Sequence, residues 1–548
     1  MSESKQETIA EKRAAVISDN FDMINAIRRL GCRATRSAIG QLTGKSPATI
    51  TRNIQELRSE GALKETDGPN AIVEVEPKYA YFLGIHVGTT GTRAVLSDFT
   101  LKAVTQEGYS TQSLSELMEL LSKGSGSIEG NRKTEEYPAH LLKSDAEPPE
   151  DEVPEGVYFH YISIGERSIY REINHILDVV LNFVRDNPHE LPFLSVCIAF
   201  PGVIDRDKGT IDFSPNIRSL QGYKVENLIS QAARNEMTSL DIPWFIEHDT
   251  ECTLLHERER LFRLSKSGEY NKQAFDIANK PNWAVLYFGL GIGASFCLDN
   301  KIFRGASNAV GEIGHVPSPR FDVPDLTDRY RQLLSDSVSL GRYVERLEKS
   351  SCEQPIEDER KPFAYYDSET KKIPLVYFYY DRSNKFRYHI LAKELQPMPE
   401  CACSKYNCLE AAIRAQCFDS RTYETFWKKR STETLKNFHE INPIQYELLK
   451  QYVEYLIGIV IGVSNVDVLL ISGTTLCGIT QLQEEFREMK YKGALKQSAN
   501  NCEIELGVNY DSSSARGAAI AAFYKCLSDN RKLNPLQPIK IFWNDLSI

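Results

Sequence analysis

Beyond Pro77 the chain alternates apolar strands with helices, and that order constrains its fold more than any other feature: "YFLGIHVG", "TRAVLSDF", a helix over about Arg167–Arg185, "FLSVCIAF", "WFIEHD", "WAVLYFGLGIGASFCLDN" and "VDVLLISG". Strands this apolar must be covered, and helices alternating with them supply the cover, which makes the body an α/β layered structure. Its first two strands, in "FLGIHVGTTGTRAVL" at 82–96, flank a tight turn rich in Gly and Thr. Such a turn presents backbone N–H groups to a phosphate. The position where a loop of this kind usually carries a metal-holding carboxylate is filled by His86.

At 548 residues the chain is long enough for two to four domain-sized units. The start, "MSESKQETIAEKR", lacks the apolar stretch of a secretory signal. The most apolar later run, "YLIGIVIGV", stops short of the ~18 residues of a membrane span and meets Ser464, Asn465 and Asp467. No membrane partner is expected, and the cytoplasm is the expected location. In a reducing compartment, clustered members of the twelve cysteines point to metal rather than to disulfides.

A net charge of −10 argues against general coating of nucleic acid, but the charge is uneven. Between Arg28 and Arg58 stand Arg28, Arg29, Arg33, Arg36, Lys45, Arg52 and Arg58 against the single acid Glu56. The same region is punctuated as three short helices. Asp19 or Asn20 is placed to cap the first, with Ile24, Ile27 and Leu30 on one face and Gly31 as its stop. Thr35 caps a second, with Ile39 and Leu42 inward and Thr43 and Gly44 at its end. Ser46 caps a third, with Pro47 at the first helical position, where its missing N–H costs nothing.

Ile50, Ile54 and Leu57 give the third helix a buried stripe, and "ALKETDGPNAIVEVEP" reads as a two-stranded wing. The pattern predicts a winged helix-turn-helix, whose second motif helix enters the major groove of operator DNA. Ser46, Ala48, Thr49, Thr51, Arg52 and Gln55 are left on or beside its outer face, short or hydrogen-bonding side chains suited to bases and phosphates. The same stripe also suits a module that binds another protein.

Several motifs then arrive in the order of a known family. "GLGIGASFCLDNKIFRGASNAVGEIGH" at 289–315, with "AFPGVID", "SPNI", "EHDTECTLLHE", "CACSKYNC" followed by "LE", and "ISGT", resembles the ROK family of sugar-responsive repressors and sugar kinases. The resemblance implies a two-lobed α/β body of the actin/hexokinase-like (ribonuclease H-like) fold behind the N-terminal winged helix-turn-helix. Expected boundaries are 1–78 for the DNA-binding domain, 79–212 for the first lobe and 213–548 for the second, with a C-terminal helix returning to the first lobe. The acidic, Pro-bearing stretch near 113–156 reads as a mobile insertion. A second insertion, near 317–399, contains "KIPLVYFYYDRSNKFRYHIL", which reads as a β-hairpin.

Kinases of this family resemble Asp-x-Gly-Gly-Thr in the first phosphate loop, where this chain has His86, Val87, Gly88, Thr89 and Thr90. A neutral imidazole is a poor partner for a hard cation such as magnesium. The second loop departs too, with Leu290 where a hydroxyl is usual, and the late Gly-rich turn is Ser472, Gly473, Thr474. Three departures on the nucleotide side argue against phosphoryl transfer, and the chain is expected not to be an enzyme.

On the sugar side the resemblance assigns Asn216, Asp249, Glu312, His315 and Glu410 to hydroxyl contacts, with Asp249 the general base in a kinase. Carboxylates and amides pair well with vicinal hydroxyls. His248 and Glu251 replace usual Asn residues, so the sugar itself is open. Cys401, Cys403 and Cys408, with His315 as the family's fourth ligand, make a closed tetrahedral zinc set of structural role. Its loop has Ser404 and Asn407 where glycines are usual.

The resulting expectation is a sugar-responsive, DNA-binding repressor of carbohydrate-use genes with zinc, acting as a homodimer or dimer of dimers on a two-fold operator. Its alternatives are an ATP-dependent sugar kinase with an appended module and a sugar- and zinc-binding protein whose N-terminal module binds protein.

Overall fold

The computed structural model describes residues 19–68, 71–104, 158–160, 169–189, 194–264, 276–319, 363–364, 376–380, 386–390, 401–417, 443–507 and 513–528, apart from 90, 290, 402, 406 and 407, plus a few isolated positions. The insertion expected near 113–156 lies almost wholly outside the described residues. The chain divides into two compact units. The first comprises Met1–Gly311, Ser464–Thr474 and Asn500–Ile548, and the second Glu312–Val463 and Thr475–Ala499.

The N-terminal part of the first unit has helices α1 (Phe21–Arg29), α2 (Arg36–Thr43) and α3 (Pro47–Ser59), with strands β1 (Arg33–Thr35), β2 (Leu63–Glu65) and β3 (Ile72–Val75). The strands form an antiparallel sheet in the order β1-β3-β2. Local chemistry sets the helix ends. Thr35 accepts from the Ala38 N–H, Gly44 takes the left-handed conformation that ends α2, and Ser46 accepts from the Thr49 N–H with Pro47 at the first turn. Asn20 precedes α1 but makes no cap bond. Its amide instead donates to the Val16 carbonyl at 2.9 Å and to Glu56 at 3.3 Å. Met23, Ile24, Ile27, Ile39, Ile50, Ile54 and Leu57 are buried together with Val73 and Val75, which closes the core of this module.

Behind it lie two five-stranded sheets of matching topology. The first takes β4 (Tyr81–Val87), β5 (Thr92–Asp98), β6 (Tyr158–His160), β7 (Leu194–Phe200) and β8 (Trp244–His248) in the order β8-β7-β4-β5-β6. The second takes β9 (Trp283–Phe288), β10 (Ile292–Leu298), β11 (Lys301–Phe303), β12 (Val468–Ser472) and β13 (Glu503–Leu506) in the order β11-β10-β9-β12-β13. In each, three strands run as an antiparallel meander and two more add in parallel. Strand β8 lies past the 212/213 boundary expected from the sequence. It still pairs with β7, because a parallel partner arrives only after a crossover.

Helix α4 (Ile169–Asp186) buries Ile173, Ile176, Leu177, Val180 and Leu181 in the core of the first sheet. Helix α5 (Asp249–Leu264) follows β8 directly. In the second unit, α6 (Leu409–Cys417) follows the cysteine loop and α7 (Pro443–Ser464) is the longest described helix. The expected hairpin is there, with Val376–Tyr380 paired antiparallel to Phe386–Ile390. The C-terminal helix α8 (Ser513–Ser528) returns to the first sheet so closely that a Cβ on Gly84 would sit 2.0 Å from the Ala515 carbonyl oxygen.

Much of the basic run of the N-terminal module is paired with acids that lie outside the 28–58 window. Arg28 pairs with Glu259, Arg33 with Glu74, Lys45 with Asp22, and both Arg36 and Arg58 with Glu65. Glu65 is nearly buried, and the guanidinium of Arg36, bonded through two nitrogens, holds its carboxyl below the usual range. A depressed carboxyl pKa contributes stability above the ordinary carboxylate range and loses it as pH falls through the folded value. Glu65→Gln should therefore weaken the 63–75 hairpin near neutral pH by about 1–2 kcal/mol, the partial exposure of Arg36 keeping the figure low. Hydrogen exchange of that hairpin checks this, and the gap between variant and wild type should close on acidification.

Candidate functional site

At the carboxyl end of the first sheet, the register aligns His86 of β4, Ala199 of β7 and Glu247 of β8 across three parallel strands. Ligand sites of α/β sheets form at this edge. The chain turns here from β8 into α5, and Asp249 is the first residue of that helix, where the N-terminal dipole favours a carboxylate. His86 Nε2 lies 3.8 Å from one carboxylate oxygen of Asp249 and His248 Nδ1 3.5 Å from the other. Burial works against ionisation of Asp249. The two imidazoles and the Thr250 N–H outweigh it and hold the carboxyl below its ordinary range. Thr250 Oγ1, at 2.7 Å from His248 Nδ1, fixes that ring.

The corner is braced by a buried charge cluster. Glu247, 2 % exposed, meets Arg206, the Lys525 ammonium at 2.6 Å and Arg304 at 3.4 Å. Glu251, in the first turn of α5, pairs with Arg206 at 2.9 Å and with Arg304 at 2.7 Å. Burial opposes the charge on Glu247, but Arg206, Lys525 and Arg304 drive its carboxyl well below the usual range. Three cations clamp two carboxylates on either side of Asp249, which fixes where its side chain starts. Glu251, which stands where the resemblance has Asn, is thereby committed to arginines.

The two Gly-rich turns are each closed on themselves. The Gly88 N–H donates to the Gly91 carbonyl and the Gly289 N–H to the Gly291 carbonyl, each at 3.0 Å. Arg93 sits beneath the first turn, donating to the Gly91 carbonyl at 3.3 Å, and burial pulls its pKa down to about 10. Thr90 and Leu290 lie outside the described residues.

Asn216 is exposed in the first unit, just before a single helical turn at 218–220. Glu312, His315 and Glu410 belong to the second unit. There His315 Nδ1 lies 3.4 Å from Cys401 Sγ, while its Nε2 lies 3.6 Å from Glu312. Cys403 and Cys408 Sγ are 3.5 Å apart, and the four donor atoms of His315, Cys401, Cys403 and Cys408 all fall within 4.8 Å of one another. Thiolates about 2.3 Å from a tetrahedral ion stand about 3.8 Å apart, so this set could hold a metal ion, and its donors suit zinc.

Burial and the neighbouring thiols push Cys408 up to about 12, a burden that a cation in their midst removes. Ser404 takes the left-handed conformation, φ 66°, at a place where the resemblance has Gly, so the loop closes at some strain; Asn407 lies outside the described residues. Glu410, nearly buried at the start of α6, bonds Arg414 at 3.1 Å.

Sequence reasoning named Asp249 as a sugar contact and grouped His315 with the three cysteines, which the structure brings together, and it flagged His86 only as a missing carboxylate. It missed the pairing of His86 with Asp249 and the roles of Arg206, Arg304 and Lys525. "VIDRDKG" carries Arg206 only two residues past the Val203–Ile204 pair, but nothing local announces its partner 41 residues on.

Residues 166–328 match the ROK family. A xylose repressor of Caldicellulosiruptor bescii is 29% identical over 122 residues, 22% of this chain and 25% of that protein. A beta-glucoside kinase of Klebsiella pneumoniae is 25% identical over 178 residues, 32% of this chain and 51% of that protein. The chain spans no more than about half the length of either relative. A solved ROK family transcriptional regulator, described as a homolog of the E. coli MLC protein, superposes with TM-score 0.51 at 15% identity, covering 93% of this chain and 98% of that one. This likeness shows the fold alone.

The four-donor cluster makes a direct prediction. Elemental analysis of the purified chain should find about one zinc ion, and Cys408→Ser should lose it together with the order of the 401–417 segment in hydrogen exchange.

Proposed function

Because this chain carries a ROK family domain, we propose that it is a sugar-responsive transcriptional repressor of carbohydrate-use genes rather than an enzyme. The observation that carries the reading is the N-terminal module. Its helix α3 is capped by Ser46, packs Ile50, Ile54 and Leu57 inward, and leaves Ala48, Arg52 and Gln55 exposed. The sheet β1-β3-β2 supplies the wing of a winged helix-turn-helix. The Thr51 hydroxyl donates to Pro47 and accepts from Arg36, and the Ser46 hydroxyl lies 2.9 Å from that of Thr49. Thr51 and Ser46 therefore hold the helix start in shape, while Ala48, Thr49, Arg52 and Gln55 face the bases.

The effector is a sugar or sugar derivative. Asn216 and Asp249 of the first unit offer an amide and a carboxylate to its hydroxyls, and Glu312, His315 and Glu410 are the proposed sugar contacts of the second. His315, with Nδ1 toward the thiols and Nε2 toward Glu312, has the arrangement by which a structural zinc orients a neighbouring group. Residues His315, Cys401, Cys403 and Cys408 would hold that ion, which supplies order and no chemistry. Helix α5 links the two functions. It begins at Asp249, and Glu259 near its end grips Arg28 of α1 at 2.7 Å. A sugar shifts DNA affinity only through its preference for one of two body conformations, typically about 1–3 kcal/mol of coupling. The cytoplasm is the proposed location, and a two-fold operator calls for a homodimer or a dimer of dimers.

A sugar kinase is the second reading, favoured by the likeness to a beta-glucoside kinase. Against it, His86 occupies the metal-carboxylate position and is engaged with Asp249, the residue a kinase would use as base. Mg-ATP-dependent phosphorylation of a sugar panel decides between them.

Arg52→Ala should cost about 1–3 kcal/mol of binding to the chain's own upstream DNA and relax its sequence preference, measured by titration at fixed salt. Asp249→Asn should abolish the effect of sugar on that binding and leave the sugar-free affinity unchanged.

A further inference from the structure

Along α3, Thr51, Gln55 and Arg58 recur at the spacing that places side chains on one helix face. Two of the three are bound into an ion cluster that joins α2, α3 and the wing strand β2. Arg36, the first residue of α2, donates through Nε and Nη2 to the two carboxylate oxygens of Glu65 at 2.8 and 2.9 Å, and through Nη1 to the Thr51 hydroxyl at 3.0 Å. Arg58 donates to the same carboxylate at 2.8 Å. All three guanidinium nitrogens of Arg36 are thus engaged. The Glu65 side chain is 5 % exposed, whereas Glu74 and Asp22, which meet Arg33 and Lys45, are 35 % and 52 % exposed. The difference decides which cations a DNA backbone can recruit. An exposed pair contributes little, and its cation exchanges one oxyanion for another at small cost. Drawing the arginines off Glu65 breaks charge-assisted bonds and strands a nearly buried carboxylate, the expensive outcome.

We propose that Glu65 is a specificity-determining residue of the N-terminal module: it occupies Arg36 and Arg58 in the manner of a phosphate and withholds them from the DNA backbone. The proposal rests on the DNA-binding reading of the module and adds to it a limit on affinity for DNA of any sequence. Backbone contacts carry no sequence information, and each one strengthens binding to all DNA alike. With Arg36 and Arg58 committed to Glu65, contacts to bases make up more of the total, which raises the ratio of specific to non-specific affinity. Low affinity for bulk DNA also suits release by an effector, because the coupling between two sites is modest.

Fluorescence titration of the full chain against a mixed-sequence DNA duplex over a series of KCl concentrations tests this, the slope of log affinity on log salt reporting the number of phosphates neutralised. Glu65→Gln should tighten binding severalfold and steepen the slope by about one to two, as the two arginines are released. Arg58→Gln should leave the wild-type slope unchanged and lower that of the Glu65→Gln chain by about one. A general effect of net charge would not produce that non-additivity. Asp67→Asn, which removes an exposed charge close by in the wing, should leave the slope as it is. Circular dichroism establishes that each variant is folded, and should Glu65→Gln fail to fold, Arg36→Gln and Arg58→Gln decide alone. A slope lowered by about one in either single arginine variant overturns the proposal. So does an unchanged slope in folded Glu65→Gln, or an equal steepening in Asp67→Asn. A wild type without salt-dependent binding removes the DNA-binding reading and this proposal with it, whereas salt-dependent binding with additive variants removes this proposal alone.

Discussion

The backbone contact between α8 and α5 is the constraint on which the first unit depends. A Cβ on Gly517 would lie 1.7 Å from the Cys252 carbonyl oxygen, and one on Gly84 would lie 2.4 Å from the Ala519 nitrogen as well as against Ala515. Neither neighbour is a side chain that could swing away, so α8 meets α5 on one side and β4 on another at main-chain distance, with the Thr253–Ser514 hydroxyl pair at 2.9 Å and the Phe82–Phe523 rings at 5.2 Å beside those contacts. Packing this close leaves little freedom to slide, because interiors move between discrete arrangements rather than deforming continuously. Helix α5 therefore moves as a body with what it carries: Asp249 at its start, Glu259 and Arg263 toward its end.

Charge fixes the two ends of that helix in different ways. At the start, Arg206, Arg304 and Lys525 surround Glu247 and Glu251, and Lys525 itself comes from α8, adding a donation to the Ile246 carbonyl at 3.0 Å. Removing one member of such a cluster would strand a buried charge, the expensive outcome for a buried network. At the far end, Glu259 bonds Arg28, whose guanidinium also lies 4.5 Å from the centre of the Phe523 ring. Phe21 of α1 packs on Phe523 and Tyr524 as well. The N-terminal module thus rests on α5 and α8 together, through one buried ion pair and an aromatic seam. A change at the Asp249 end has a continuous path of packed groups to the module.

What could be read in the sequence was what local pattern decides. Thr35, Ser46 with Pro47, and Gly44 set helix ends through bonds spanning three or four residues, so they were visible in the string. The cysteine triplet was visible for the same reason, its members being neighbours, while His315 entered only through family order. The hairpin at 376–390 showed itself by its strand pattern. Partners distant in sequence were not legible: His86 with Asp249, Arg28 with Glu259, and Arg36 and Arg58 converging on Glu65. Counting charges between Arg28 and Arg58 overstated the basic surface, because the neutralising acids lie outside that window. Asn20 misled in the opposite sense. A good capping residue, it is drawn off to Val16 and Glu56 once the helices pack.

The central claim is that the Asp249 end of α5 and the N-terminal module are thermodynamically linked. Linkage is reciprocal, so the effect of sugar on DNA affinity must equal the effect of DNA on sugar affinity. The most direct measurement is the sugar dissociation constant of the full chain, alone and saturated with its upstream DNA. The account predicts that DNA changes it by the same factor by which sugar changes DNA affinity, and that Glu259→Ala, which removes the Arg28 ion pair, brings both factors toward one. An identical sugar dissociation constant with and without DNA would contradict it.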